Sequence, residues 1–414
     1  MNSKLFLLLI LSLCGFFAKA QNAVQLHSRS IRSFGVLPEN TAEENKANLQ
    51  KAIDWAATSG DALFVEPSEQ PYEVSGGIIL KKNVSLIGVH GPVPRGTRHP
   101  EKQQPVGSVF AVRDTQKPFI TVESSTQIKG IQFWYPEQSI KDPSKVIAYP
   151  PTIQVSQTSN TEGVLLENLT FYGEYLAMDF NASREHPCEL IQFENCHGYP
   201  LGGEFIRIDY CYDIPRILHC HVNPAIQRQL GGQYPRAMVD AVVARQKYSY
   251  AINHTDNAQM IDVFTFGNYG GIWLGPATYG QLTNFNLDCV AVGIYKQGDS
   301  AKNRNWMIAQ GSIIANTGPS PEDVHPIIVE GMGHTALTNV EGFSGGNSAL
   351  SNFGQSWDFM CVRGDEKCTI SLFGCRMRDY NTEQPISVLN PKAIIQAEAC
   401  IDKNENPFRL KPEN

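Results

Sequence analysis

Residues 195–222 read NCHGYPLGGEFIRIDYCYDIPRILHCHV, and this stretch contains, twice, the short unit that decides the fold. In each copy a polar residue, Asn195 or His219, is followed by a cysteine and a histidine, and the copies start 24 residues apart. Related units, in which a polar or small residue or a valine opens a short strand, start at 130, 168, 263, 284, 310, 340 and 374. The recurrence indicates that one structural element is repeated along the chain.

The spacing of these units distinguishes between all-β folds. Successive units start 38, 27, 24, 44, 21, 26, 30 and 34 residues apart, so the shortest intervals lie near 21–27 residues. A solenoid whose coils carry loops of variable length gives such intervals, whereas hairpin-based sandwiches show turn signals about every 8–12 residues. The spacing therefore predicts a solenoid of stacked coils over about residues 62–400.

Two positions of the unit have informative side chains. The first is asparagine at Asn168, Asn195 and Asn284, which we interpret as a ladder of side chains that hydrogen-bond from coil to coil. The second is mostly apolar and is predicted to point into a narrow core, with Cys196, Cys220 and Cys375 as small stacked residues. In chain order this second position reads Ile131, Leu169, Cys196, Cys220, Phe264, Phe285, Gly311, Glu341 and Cys375, and Glu341 breaks the pattern.

One helical pattern precedes the repeats, in TAEENKANLQKAIDWAAT at 41–58. Apolar residues recur at helical spacing, for example at Leu49 and Ile53. Thr41 followed three residues later by Glu44 is the pattern of a capping box, and Gly60 is a stop signal. We expect one helix over about residues 42–58.

The composition excludes two broad classes of protein. Hydrophobic residues make up 42% of the 414 residues, which is enough for a large core and excludes global disorder. The 34 Lys and Arg against 41 Asp and Glu give a net charge of −7, so no cationic excess is present to hold nucleic-acid phosphates. We expect a monomer with no nucleic-acid partner.

Residues 1–20, MNSKLFLLLILSLCGFFAKA, have the three parts of a secretory signal peptide. Lys4 is the basic start, 5–17 the apolar segment and 18–20 the small-x-small cleavage pattern. The apolar segment is shorter than the ~20 residues of a membrane span, and no later segment could span a membrane. We predict cleavage before Gln21, a secreted or periplasmic location, and one mature domain over 21–414.

Cleavage would remove Cys14 and leave nine of the ten cysteines, an odd number. Cys361 and Cys368 bracket the short polar segment VRGDEK, and we predict a disulfide between them in an oxidising compartment.

The segment 31–89 resembles the start of the pectate-lyase-like superfamily, which includes rhamnogalacturonase- and epimerase-type proteins. The resemblance implies a single-stranded right-handed parallel β-helix whose end is capped by the helix, and a carbohydrate-active function. The usual Gly-Asp-Gly and Asp-Asp-Thr stretch before the helix is replaced by PENTAEE at 38–44, which marks a divergent member. The matching pieces are SFG at 33–35, NLQKAI at 48–53, LFVEP at 63–67, YEV at 72–74 and VSLIG at 84–88.

Departures from the subfamilies of this superfamily limit the activity that can be transferred. Polygalacturonase-type hydrolases have an adjacent Asp-Asp pair, and this chain has none, although GMGH occurs at 331–334 and RID at 207–209. The motifs of calcium-dependent pectate lyases are also absent. A polygalacturonase proper is therefore disfavoured.

The strand that precedes the longest interval between units is the candidate catalytic strand. It reads FIRIDYCYDIPR at 205–216, and alternation places Arg207 and Asp209 on one face with Ile206 and Ile208 on the other. Loops inserted between coils build the walls of a groove that a polysaccharide can occupy. The interval that follows holds Asp240, Arg245, Lys247, His254 and Asp256.

A second candidate group is a set of histidines. His219 and His221 share one face of their strand, and His197 is predicted one coil away from His221. Neighbouring coils lie ~4.8 Å apart, so the two rings could titrate near neutrality and bracket a substrate.

Three functions fit these residues. Inverting glycoside hydrolysis needs two carboxylates roughly 6.5–9.5 Å apart, and Asp209 with Asp213 or Asp240 could supply them. β-Elimination from a uronate needs a base, for which Tyr212, His221, Arg216 and Lys247 are candidates, while Asp240 and Asp256 could hold Ca²⁺. The third function is glycan binding or adhesion without catalysis.

We favour a hydrolase acting on an acidic plant or algal polysaccharide, because several Asp lie within 209–262 and no lyase motif is present. A mature charge of −9, which is −7 less Lys4 and Lys19, would repel a polyanion, but a local Arg and Lys cluster could offset this repulsion. Trp134, Tyr135, Tyr269 and Trp273 could serve as platforms on which sugars stack.

The candidate catalytic residues are Asp209, Asp213, Asp240 and His221. The candidate substrate-binding residues are Arg207, Arg216, His197, His219, Arg245, Lys247 and Asp256.

Overall fold

The computed structural model describes residues 28–89, 104–230, 235–298, 305–344, 355–408 and 410. Within these ranges the strands stack in parallel, coil on coil, as a right-handed parallel β-helix, which confirms the predicted fold class. The predicted signal peptide lies outside the described residues. None of the described helices is both long and apolar enough to pass through a lipid bilayer.

The coils form two sheets in the described part of the chain. Sheet 1 has 22 strands. They are Ser28–Ser30, Ala62–Phe64, Tyr72–Val74, Ser85–Ile87, Val109–Val112, Thr126–Lys129, Gln132–Trp134, Thr161–Glu167, Thr170–Tyr172, Cys188–Glu194, His197–Gly198, Cys211–Tyr212, Arg216–Leu218, His221–Val222, Ala258–Ile261, Phe264–Phe266, Gly280–Val290, Trp306–Ala315, Gly333–Phe343, Cys368–Phe373, Arg376–Met377 and Ile394–Glu398. Sheet 2 has 11 strands and forms a separate face. They are Ile78–Leu80, Ile120–Val122, Ile153–Val155, Leu176–Asn181, Glu204–Asp209, Tyr248–Ile252, Gly270–Leu274, Val292–Gln297, His325–Glu330, Met360–Arg363 and Ile386–Val388.

Helices are few and short apart from the predicted one. Helix α1, Ala42–Ser59, packs against the first coils, and helix α2, Arg236–Val243, lies in the long interval between two coils. Short 3₁₀ segments occur at Ile31–Phe34, Pro143–Lys145, Pro224–Leu230 and Pro321–Asp323.

Helix α1 covers the N-terminal end of the core. The Thr41 hydroxyl accepts the amide of Glu44 and the Glu44 carboxylate accepts the amide of Thr41, so the predicted capping box is confirmed. Gly60 ends the helix in the left-handed conformation with φ 78°. The inner face buries Leu49 and Ile53 completely, which is worth roughly 1.5–3 kcal/mol for each side chain.

The register of the repeat differs from the predicted one in two coils. His221 is paired with Phe264 and Glu341 with Arg376, so the residues equivalent to Cys220 and Cys375 are Val263 and Val340. Both valines are buried, whereas Phe264 and Glu341 point outward and are only partly buried. The apparent break at Glu341 is therefore an error of one residue in the alignment, and the second position of the unit does line the core.

The first position of the unit makes a sharp turn in every coil from Asn168 onward. Asn168, Asn195 and Asn284 have φ between 53° and 55°, in the left-handed region that asparagine tolerates better than most residues. The Asn195 amide Nδ2 donates to Oδ1 of Asn168 at 2.6 Å, which confirms the ladder for these two coils.

This ladder gives a test of the turn chemistry. Asn195→Ala removes a hydrogen bond worth about 1 kcal/mol and places a Cβ without polar compensation at positive φ. We expect Asn195→Ala to lower the free energy of unfolding by about 2 kcal/mol, and Asn195→Gly to lower it by about 1 kcal/mol, because glycine relieves the strain. Urea unfolding of both variants measures the difference. Equal losses would show that backbone strain has no part in the effect.

All nine cysteines of the described residues are buried and remain thiols. Six lie as neighbours on adjacent coils, and the pairs are Cys188 with Cys211, Cys196 with Cys220, and Cys375 with Cys400. The stacking predicted for core cysteines is thus present.

The disulfide predicted between Cys361 and Cys368 is not formed. Cys361 lies in sheet 2 and packs on the outer face with Ala291 and Ile328, whereas Cys368 lies in sheet 1 and belongs to the central core. The polar segment between them turns the chain from sheet 2 to sheet 1. The side chain of Cys361 points outward from sheet 2, whereas that of Cys368 points into the core.

Candidate functional site

A cavity of about 370 Å³ opens on the outer face of sheet 2. It extends across neighbouring coils, from the strand that ends at Asn181 to the strand that contains Tyr295. Its lining consists of Asn181, Glu204, Arg207, Ile208, Asp209, Gln246, Lys247, Tyr248, Ala251, Asn253, Trp273 and Tyr295.

The strand Glu204–Asp209 supplies the charged floor of the cavity. Ile206 and Ile208 belong to the hydrophobic core, so alternation turns Arg207 and Asp209 outward. The arrangement inferred for these four residues from the sequence is present. Both polar side chains therefore lie on a wall fixed by a packed core.

Arg207 is held by two acidic side chains. Its Nε and Nη2 donate to Oδ1 and Oδ2 of Asp179 at 3.2 and 2.5 Å, a two-point contact with the preceding coil. Glu204 Oε2 lies 3.7 Å from Arg207 Nη1 and 3.9 Å from Lys247 Nζ. Two cations thus face Glu204.

Asp209 shares a hydrogen bond with a histidine from the next coil. Nδ1 of His254 lies 2.7 Å from Oδ1 of Asp209, and the amide of Tyr210 donates to the same oxygen at 2.9 Å. Because an ionised carboxylate only accepts, the contact with Oδ1 requires the proton on Nδ1 while Asp209 is charged, and the Asn253 amide Nδ2, 2.9 Å from the same nitrogen, then does not donate to it. The ring of His254 is fixed by stacking on Tyr210 at 4.2 Å and 6° between planes. Asp209 and His254 form a proton-sharing pair at one end of the cavity.

Aromatic rings form the other end of the cavity. Trp273 and Tyr295 are register partners in successive coils, with Tyr248 beside them. Trp273 Nε1 donates to Gln297 at 2.8 Å, and the Tyr295 hydroxyl donates to Glu330 at 2.6 Å. Their polar atoms have partners within the protein, so the ring surfaces remain as the contact area for a ligand. Burial raises the pKa of Tyr248 above its ordinary value and keeps that phenol protonated at neutral pH.

The histidines predicted beside this strand lie elsewhere. His197 and His221 stack one coil apart, with ring centroids 5.6 Å apart, as predicted, but both belong to sheet 1, whereas Asp209 belongs to sheet 2. Burial, followed by the charge of His221, lowers the pKa of His197 to about 4, so titration of this ring near neutrality is a wrong expectation. His219 makes an exposed contact with Asp262 at 3.0 Å.

Lys247 lines the cavity, but the remaining charged candidates do not. Asp240 lies on helix α2 and pairs with Arg236 at 2.6 Å, and Arg245 donates to the carbonyl of Leu201 at 2.9 Å. Asp256 accepts the Ile214 amide at 3.5 Å. Asp213 occupies a left-handed turn and Arg216 donates to the carbonyl of Ile214 at 3.2 Å, so both serve the same turn. The single site expected from Asp209, Asp213, Asp240 and His221 is thus not assembled.

The Ca²⁺ site considered for Asp240 and Asp256 has no structural support. In the ranges that the structure describes, neither residue belongs to a group of three side chains able to hold a metal. The ion pair with Arg236 and the turn contact with Ile214 already account for these two carboxylates.

Sequence reasoning missed several lining residues. Glu204, Tyr248, Tyr295, Asn181 and Asn253 lie on, or directly after, four strands of sheet 2, which a correct coil register would have aligned with one another. His254 was singled out only as part of the long interval, and its bond to Asp209 depends on a turn with φ 37°.

No family profile and no curated protein sequence matches this chain. Among solved structures, the A-module of mannuronan C-5 epimerase AlgE6 from Azotobacter vinelandii is similar with a TM-score of 0.54 at 13% identity, over 92% of this chain and 100% of that one. A mutant of DFA-IIIase from Arthrobacter chlorophenolicus A6 in complex with DFA-III gives 0.53 at 9% identity, over 92% and 95%. PfbA, a surface adhesin of Streptococcus pneumoniae, gives 0.50 at 13% identity, over 94% and 96%. At these identities the likeness concerns the fold.

Proposed function

We propose that this protein is a secreted glycoside hydrolase that cleaves an extracellular polysaccharide in the cavity on sheet 2. The observation that carries the proposal is the presence, in one cavity, of an Asp209–His254 pair, a second carboxylate at Glu204, and the rings of Trp273 and Tyr295. Carboxylates perform the chemistry of most glycosidases, and aromatic faces provide the contact area for sugar rings.

The solved structures with a similar fold are compatible with such a role. Two of the three proteins are carbohydrate enzymes by name, a mannuronan epimerase and a DFA-IIIase. The third is an adhesin, which keeps the non-catalytic function as the alternative that the experiment must exclude.

The charge of the cavity favours hydrolysis over β-elimination. Elimination needs positive charge beside the uronate carboxylate, but Arg207 is engaged by Asp179 and Glu204, and Lys247 faces Glu204. With three carboxylates against two permanent cations, the site has no excess positive charge to offer. The same balance favours a neutral or weakly charged stretch of the polysaccharide at the point of cleavage.

The two lining carboxylates have different surroundings, which suggests different roles. Glu204 lies five residues from Asp209 on one extended strand, about 16 Å away at ~3.3 Å per residue, so it positions Arg207 and Lys247 and is too distant to pair with Asp209 at one glycosidic bond. Asp209 acts when His254 carries a proton on both ring nitrogens: the Nδ1 proton passes to Asp209 and then to the departing sugar oxygen, which leaves His254 neutral. The proton that the attacking water loses restores the pair. His254 is a positioning residue because it acts through Asp209.

A screen of purified polysaccharides tests this function. Release of reducing ends without the ultraviolet absorbance of an unsaturated uronate is the expected result. Absorbing products would instead indicate a lyase. Retention of the protein on a glycan that it leaves uncut would indicate a binding or adhesion protein.

The aromatic end of the cavity leads to a second test on any glycan that is cut. Trp273→Ala should raise KM about tenfold with little change in kcat, because a stacking contact of about 1.5 kcal/mol is lost from ground state and transition state alike. Trp273→Phe should retain most of the affinity. Trp134→Ala, on sheet 1, is the matched control and should leave KM unchanged. An unchanged KM in Trp273→Ala would remove this ring from the binding surface.

A further inference from the structure

Three side chains with metal-binding atoms meet at another place on sheet 2. His325 begins the strand His325–Glu330, Asp358 precedes the strand Met360–Arg363, and Cys361 lies on that strand. One donor atom of each lies within 4.8 Å of the others. Cys361 is two coils beyond Tyr295 in register, through Ile328, so the group lies outside the cavity described above.

This group is buried among apolar side chains. His325 is 9% exposed, Asp358 0% and Cys361 4%. Ala291, Val292 and Ile328 pack around Cys361 on the outer face of the sheet. The three donor atoms are therefore shielded from bulk water.

Asp358 is only half satisfied by the protein. Its Oδ1 lies 2.8 Å from Nδ1 of His325, but its Oδ2 is buried and has no hydrogen-bond partner. Over the part of the chain that the structure describes, His325 is the one ion-pair partner of Asp358. An unpartnered oxygen of a fully buried carboxylate is costly, and coordination of a cation is a standard way to compensate for it.

We propose that His325, Asp358 and Cys361 bind one divalent transition metal of the zinc class. The imidazole nitrogen, carboxylate oxygen and sulfur form a mixed donor set typical of Zn²⁺ sites, and the thiolate disfavours Ca²⁺ and Mg²⁺, which prefer oxygen ligands. Three protein ligands leave a fourth position for water or a small anion.

The charges and protons of binding balance. The Cys361 S–H bond breaks, its proton leaves to solvent, and the thiolate and the Asp358 carboxylate together neutralise the two positive charges of the ion. A net neutral complex then occupies the apolar surroundings. Zn–ligand bonds of about 2.0–2.3 Å require the three donors to approach one another slightly, which small side-chain rotations can supply.

Cobalt provides a direct readout. Tag-free full-length protein, stripped with a chelator and kept reduced, is titrated with Co²⁺. We expect one equivalent to bind, with the near-ultraviolet charge-transfer band of a cobalt–thiolate bond. Zn²⁺ should displace the cobalt, and Zn²⁺ binding to the stripped protein should release about one proton per chain.

Variants identify the ligands. Cys361→Ser should lose the charge-transfer band while retaining the folded circular-dichroism spectrum, and Cys361→Ala provides a second variant if the first is unstable. Asp358→Asn and His325→Gln should each weaken binding by at least about 100-fold, since loss of even an outer-shell partner typically costs 10–100-fold. Cys188→Ala, at a buried cysteine of sheet 1, is the control and should retain the band.

Failure of the folded wild-type protein to bind one equivalent of Co²⁺ or Zn²⁺ would overturn the proposal. Persistence of the thiolate band in Cys361→Ser would also overturn it, because another cysteine would then be the ligand. The readout is spectroscopic, so its failure is distinguishable from a failure of glycan cleavage.

Discussion

Asp209→Asn should lower kcat on the natural polysaccharide by about 10³-fold and leave the thermal midpoint nearly unchanged. Asparagine preserves the shape of the side chain but cannot donate an acidic proton to the leaving sugar, and general acid catalysis is worth about 10²–10⁴-fold. The backbone of the strand is fixed by Ile206 and Ile208 in the core, so the fold should tolerate the exchange. Initial rates of reducing-end release measure the effect.

A second substrate with a better leaving group and a control variant at a surface aspartate make this experiment more specific. An aryl glycoside whose phenol departs without protonation should lose far less rate in Asp209→Asn than the polysaccharide does. Asp240→Asn is the matched control, because Asp240 pairs with Arg236 on helix α2 outside the cavity, and its kcat should equal that of the wild type. Equal losses on both substrates would show that Asp209 is not the proton donor.

Glu174→Gln should remove a fall in stability that the wild-type protein shows as pH rises. Glu174 is fully buried, neither of its carboxylate oxygens has a hydrogen-bond partner of good geometry, and burial raises its pKa to about 8. Backbone amides of Glu174, Tyr199 and Gly173 lower the pKa and offset part of that rise. The folded protein therefore keeps this carboxyl protonated at neutral pH.

The sign follows from proton counting. Between about pH 4.5 and pH 8 the unfolded chain has released a proton that the folded protein retains, so the free energy of unfolding falls as pH rises through this window. A shift of about 3.5 pH units corresponds to a loss of on the order of 5 kcal/mol. Glutamine carries no charge, so its variant lacks this loss, although its buried NH₂ costs about 1–3 kcal/mol at every pH.

Urea unfolding at pH 5 and pH 9 measures both effects. Glu174→Gln should be less stable than the wild type at pH 5 and more stable at pH 9. Glu162→Gln, at an exposed position, is the control and should follow the wild type at both values. A wild-type stability that does not fall between pH 5 and pH 9 relative to Glu174→Gln would contradict the buried neutral carboxyl.

The β-helix fold was predictable because the same short unit recurs in every coil. The small or polar residue that takes a positive φ in each unit can be recognised in the sequence. The register was harder to infer. Phe264 is as hydrophobic as a core residue, yet it stacks on His221 outside the core, with ring centroids 4.3 Å apart. An alignment based on hydrophobicity therefore assigns the core position to Phe264, whereas the adjacent Val263 occupies it. Surface aromatics on a parallel sheet blur the alternation on which such alignments depend.

The candidate site was only partly predictable for a geometric reason. Alternation along one strand placed Arg207 and Asp209 correctly on one face, because that is a local property. Whether His221 lies on the same sheet as Asp209 depends on where the chain turns from sheet 2 to sheet 1. The alternation of residues along a strand does not predict the position of that turn. Trp273 and Tyr295 join the cavity through coil stacking across many residues, and that requires a register correct over several turns.

The buried thiols have a consequence for how the protein withstands oxidants. Because all nine described cysteines lie within packed side chains and none is cross-linked, folding needs no oxidising catalyst and gives the same molecule in reducing and oxidising surroundings. A dissolved oxidant can attack a sulfur only when a turn of the solenoid separates from its neighbour. The rate of cysteine oxidation is therefore set by how often neighbouring coils separate, and not by the reduction potential of the thiols.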